Sequence, residues 1–118
     1  MKYSPRLGRD TLAMIAVATF ALSLSSAASA DADADAQALA KKNDCFKCHA
    51  VDKTKKGPAY KKIAEKYKGK PDGEDKCIKA MTMAPKVKLE DGTEEEHKVI
   101  GTKDPHEMKN LCTWILSR

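Results

Sequence analysis

DCFKCHA, residues 44–50, places two cysteines three positions apart, with a histidine directly after the second. Three chemistries use such a pattern. A structural zinc site needs four ligands, ordinarily a second Cys or His pair. The remaining cysteines, Cys77 and Cys112, are single and far apart, and a four-cysteine site leaves His49 without a task. A redox disulfide of the thioredoxin kind sits at the start of a helix that follows a β-strand. Here the preceding AQALAKKND reads as helix, and no βαβ pattern occurs. Haem attachment is the third chemistry and fits best. C-x-x-C-H joins haem through two thioethers and sets the histidine beneath the iron as its proximal ligand. One helical turn brings the sulfurs of Cys45 and Cys48 to the same porphyrin edge.

Upstream of the motif, the first thirty residues differ from the rest. MKYSPRLGRD carries Lys2, Arg6 and Arg9, TLAMIAVATFALSL is apolar, and Ala28-Ser29-Ala30 is a small-x-small cleavage pattern. Residues 1–30 therefore read as a secretory signal peptide, and residues 31–118 as a single domain outside the cytoplasm. An uncleaved anchor is the competing reading, weakened by the shortness of the apolar run. The 88 residues left carry 19 basic and 16 acidic side chains. Their aromatics are few: Phe46, Tyr60, Tyr67 and Trp114. So small a chain has little core of its own, and a large flat apolar cofactor would supply one.

Downstream, AYKKIAEKY places Tyr60, Ile63, Ala64 and Tyr67 on one helical stripe. EDKCIKAM reads as a helix capped by Asp72, with Cys77, Ile78 and Met81 on its apolar side. In TKDPHEMKNLCTWILSR, Asp104 suits the N-cap, Pro105 the first helical position and Glu107 the third. Met108, Leu111, Cys112 and Ile115 give that helix its apolar face. Between the last two helices, Val87 and Leu89 alternate with charged residues around the turn signal Asp91-Gly92. A three-residue loop would set Val87 opposite His97; an irregular solvated loop is the alternative. The Asp-Ala repeat of residues 31–36 is expected to fray.

CFKCHAVDKTKKGPAYKKIAEKYKG resembles the first half of the small single-haem bacterial cytochromes c of class I, and NLCTWILS resembles their C-terminal helix. The likeness spans roughly residues 37–70 and 102–118, and GPAY beginning eight residues after His49 makes it specific. The resemblance implies an all-α fold around one covalent haem c, with a short β-hairpin before the last helix left open. It also implies that the Pro58 carbonyl accepts a hydrogen bond from His49, that the terminal helices cross, and that Trp114 is a core aromatic. The sequence departs from the family at the sixth iron ligand. Most members place a methionine just before the last helix, and none lies there. His97 stands at the right distance from Trp114 and is the preferred distal ligand; Met83 and then Met81 are the alternatives. Met108 reads as core and His106 as a surface residue.

These readings converge on a periplasmic carrier of single electrons, monomeric and not an enzyme. Lys41, Lys42, Lys47, Lys53, Lys55 and Lys56 crowd around the attachment motif and suit docking to an acidic redox partner, although each is equally an ordinary solvated lysine. A gas-binding or sensing haem protein with a displaceable distal ligand is the alternative function, and a small subunit of a haem enzyme a third. No basic patch is interleaved with stacking aromatics, so nucleic acid is not an expected partner. No membrane insertion is expected after cleavage. Cys77 and Cys112 are left either as a disulfide or as two buried thiols.

Overall fold

The structure, a computed structural model, describes residues 25–118. The expected signal peptide falls almost wholly outside them. The described chain forms α1 (Ser25–Lys42), α2 (Cys45–Cys48), α3 (Tyr60–Tyr67), α4 (Gly73–Thr82), β1 (Lys86–Lys88), β2 (Glu94–Glu96) and α5 (Pro105–Leu116). No helix among the described residues is long and apolar enough to cross a membrane.

The terminal helices α1 and α5 pack on each other, and α3 and α4 both pack on α5. The Asp-Ala repeat does not fray. Alanine is the strongest helix former, and Ala36 and Ala40, one turn apart, are completely buried against the core. Asn110 on α5 donates to the Ala32 carbonyl at 2.8 Å and holds the repeat down. Contact with α5 thus converts a low-complexity stretch into ordered helix.

α5 starts as its sequence dictates. The Asp104 side chain accepts from the His106 N–H at 2.8 Å, with Pro105 in the first turn. Glu107 does not close a direct capping box. The Asp104 N–H goes to Thr102 Oγ1, whose hydroxyl bonds Glu107, so Thr102 relays the box. Asp72, expected to cap α4, makes no side-chain cap bond. It pairs instead with Lys76 one turn on, at 2.9 Å.

Leu111, Cys112, Trp114 and Ile115 form the buried face of α5, with Met108 at its margin. Trp114 meets Tyr60 and Phe46 edge to face, at 5.6 and 6.4 Å between ring centres. A disulfide joins Cys77 of α4 to Cys112 of α5 across a Cα separation of 5.9 Å, within the usual range for a bridge.

The hairpin exists, with a register other than the expected one. Val87 pairs with Glu95, flanked by Lys86 with Glu96 and Lys88 with Glu94. His97 instead lies opposite Pro85, donating its N–H to that carbonyl at 2.8 Å. The turn decides this. Asp91 Oδ1 accepts from both the N–H and the hydroxyl of Thr93, and Gly92 takes a φ of 85°. Leu89 and Thr93 then close the ladder around a loop of residues 90–92.

The disulfide spans 35 residues of sequence, and closing a loop of that size restrains the unfolded chain by about 4 kcal/mol. Cys77→Ala with Cys112→Ala should lower the unfolding free energy by about that amount in denaturant titrations. Reductant should bring the wild type to the same midpoint; a midpoint insensitive to both would mean that the bridge carries no stability.

Candidate functional site

α1 ends at Lys42 and the chain turns sharply through Asn43 and Asp44. Asp44 takes a left-handed φ of 59°, which aspartate tolerates better than most residues. The turn launches α2, whose two half-buried cysteines, Cys45 and Cys48, take part in no disulfide. His49 follows in extended conformation. Its ring Nδ1 lies 2.7 Å from the Pro58 carbonyl oxygen. A carbonyl only accepts, so Nδ1 carries the proton and Nε2 keeps a free lone pair. Burial lowers the pKa of His49 below the ordinary imidazole value, partly opposed by the Pro58 bond. The ring is therefore neutral at pH 7 and fit to bind a metal.

Gly57 allows this approach. A Cβ there would stand 2.8 Å from His49 Cε1 and 3.1 Å from Nδ1, closer than side-chain atoms pack. The Gly57 N–H also donates to the Cys48 carbonyl at 2.8 Å, closing the loop onto the motif.

His97 faces His49 across a cleft of about 620 Å³, a size typical of cofactor pockets. Their ring centres are 6.2 Å apart. Two imidazoles bonded from opposite sides to one metal, each at about 2 Å, have ring centres about 6 Å apart. The Nδ1 of His97 lies 2.9 Å from the Lys98 carbonyl oxygen, so it too is a donor, and Nε2 is left free. Four bonds fix the segment carrying His97. Its own N–H goes to Pro85 O, and the Ile100 N–H to Met81 O at 2.8 Å. Lys98 Nζ reaches Asp44 at 3.1 Å, and the Gly101 N–H reaches Asn43 Oδ1 at 2.7 Å. Asn43 and Asp44 thus hold the histidine of the hairpin from the foot of the cysteine motif. Neither residue stands out in the sequence; their one signal is a pair of turn-forming residues between two helices.

The other candidates divide clearly. Met81 is buried and lines the same cleft, whereas Met83 is 70% exposed and does not. His106 is exposed in the first turn of α5. Ile63, Met81, Leu111 and Ile115 give the cleft apolar walls. Cys77 and Cys112 are bonded to each other, which removes the four-cysteine zinc reading. Helix on both sides of the motif removes the thioredoxin-like one.

The family model described as Cytochrome c matches residues 34–118. The chain belongs to the cytochrome c family. Cytochrome c-551 of Allochromatium vinosum is 35% identical over 82 residues, 66% of this chain and 80% of that protein. Among solved structures, the class 1 cytochrome MtoD of Sideroxydans lithotrophicus ES-1 is 56% identical with a TM-score of 0.69, covering 71% of this chain and 92% of the other. Wild-type cytochrome c552 of Nitrosomonas europaea is 31% identical with a TM-score of 0.55, covering 69% and 96%. As a class I cytochrome c, the chain carries covalently bound haem c with its iron and acts as an electron carrier with redox partner proteins. The cleft fits that group: thiols at one edge, facing imidazoles, and apolar walls between.

Gly57→Ala should destabilise the protein by about 1–3 kcal/mol, because the new methyl displaces the His49 ring or the loop. Chemical denaturation of the variant checks this, and an unchanged midpoint would show that the close approach imposes no constraint.

Proposed function

We propose that this cytochrome is a periplasmic carrier of single electrons whose iron is held between two histidines. Cys45 and Cys48 form the thioethers, His49 is the proximal ligand oriented by Pro58, and His97 is the distal ligand. The observation that carries this reading is the pair of rings 6.2 Å apart, each with Nδ1 committed to a backbone carbonyl. Met81 lines the cleft, but its backbone carbonyl already serves the His97 segment through Ile100. Exposed Met83 is the weakest of the three.

Bound haem c supplies an iron that changes oxidation state by one electron. The chain's part is to keep both imidazoles in place through that change. His49 is fixed by Pro58 and Gly57, and His97 by bonds to the Pro85 and Lys98 carbonyls and by its neighbours' anchors on Met81 and Asn43. A second imidazole, a stronger donor to ferric iron than a thioether, favours the oxidised state. The working potential is therefore lower than with histidine–methionine ligation.

The lysines at the motif suit an acidic partner, and they are not equivalent. Lys47 is paired with Asp44 at 3.2 Å, and Lys55 donates to the Phe46 carbonyl. Lys41, Lys42, Lys53 and Lys56 are exposed and offer the mobile charge that steers encounter. The protein works as a monomer, without a catalytic cycle of its own.

Two experiments test this. His97→Ala should open the iron to carbon monoxide, giving an adduct that the wild type forms negligibly, while Met81→Ala with Met83→Ala should leave the spectrum unchanged. An open site in the double variant and a closed one in His97→Ala would make a methionine the ligand. Lys53→Glu with Lys56→Glu should slow electron transfer to an acidic partner at low ionic strength and converge on wild type at high salt. Equal rates at low salt would reject this docking face.

A further inference from the structure

His49 is held at its edge by a single hydrogen bond to Pro58. One bond fixes a point on the ring and leaves the plane free to turn about the line through it. Something else must fix the plane. Tyr60 meets this need. Its ring lies nearly parallel to the His49 imidazole, 18° between planes and 5.1 Å between centres. Tyr60 is itself buried, with only 2% of its surface exposed. Phe46 meets it at 65° and Trp114 at 79°, both edge to face. Trp114 belongs to α5 and carries Arg118 over its outer face at 4.9 Å. Tyr60 lines the same cleft as Cys45 and His49. One side chain thus covers the face of the motif's histidine, and its own plane is set by the terminal helix.

We propose that Tyr60 is a positioning residue that fixes the plane of the His49 imidazole about its bond to iron. This rests on His49 being the proximal ligand. The orientation of an axial imidazole plane sets the splitting of the ferric d-orbitals that overlap the ring's π system, and so which orbital holds the unpaired electron. Stacking restrains that orientation because a parallel offset pair resists tilting and turning. The hydroxyl contributes less, since the restraint comes from the ring face.

The test is electron paramagnetic resonance of the ferric holoprotein, whose g-values report this splitting. Tyr60→Met removes the ring while keeping a large apolar side chain and should shift the g-values and broaden them, with the optical low-spin spectrum retained. Tyr60→Phe keeps the ring and should restore the wild-type g-values. Wild-type g-values in Tyr60→Met would overturn the proposal. Should Tyr60→Met fail to fold, nuclear Overhauser contacts between the Tyr60 and His49 ring protons in the ferrous wild type decide the matter; their absence overturns it too. Failure of the proximal reading looks different: His49→Ala would then keep the low-spin spectrum of the wild type.

Discussion

The 2.7 Å hydrogen bond from His49 Nδ1 to the Pro58 carbonyl fixes the chemistry of everything around it. It settles which nitrogen carries the proton, and so which one keeps a lone pair free to bind a metal. It requires the loop of residues 50–57 to fold back on α2, which in turn requires the bare Cα of Gly57 beside the ring. It also brings α3 to the cleft at Tyr60, two residues beyond Pro58, so that the same turn that orients the imidazole at its edge supplies the ring that covers its face. The rest of the core then stacks outward through Trp114 to the α1–α5 crossing.

The far side of the cleft is built by another route. No helix carries His97. It sits just beyond β2 in an extended segment whose bonds run to sites distant in sequence: Asn43, Asp44, Pro85 and Met81. The disulfide secures this side, because it fixes α4 to α5 and Met81 of α4 accepts from Ile100. A small apolar core thus gains rigidity from a covalent link and from polar anchors at the rim. An electron carrier gains from that rigidity, since ligands that keep their places in both oxidation states add little reorganisation to each transfer.

What could be read from the sequence was what local chemistry dictates. Cys45, Cys48 and His49 announced themselves by spacing. Asp104 and Pro105 mark the start of the last helix, and the distance from Trp114 points to His97, which the structure sets across the cleft from His49. What could not be read depends on partners remote in the chain. The Asp-Ala repeat looked ready to fray because α5, which buries Ala36 and Ala40, lies some seventy residues away. Val87 was set opposite His97 and faces Glu95, because the side chain of Asp91 and the Leu89–Thr93 pair fix the register of so short a hairpin. Nothing local in the sequence gives the 5.9 Å Cα separation that lets Cys77 and Cys112 bridge α4 and α5. Asn43 and Asp44 passed as simple turn residues, for their work is done on Gly101 and Lys98.

Ligation by two histidines has a direct optical signature in the near-infrared absorption of the ferric protein. A methionine sulfur bound to ferric haem gives a weak charge-transfer band there, and an imidazole gives none. With His49 and His97 on the iron, a six-coordinate low-spin spectrum without that band is expected. A low-spin spectrum that contains it would put a methionine, not His97, on the distal side.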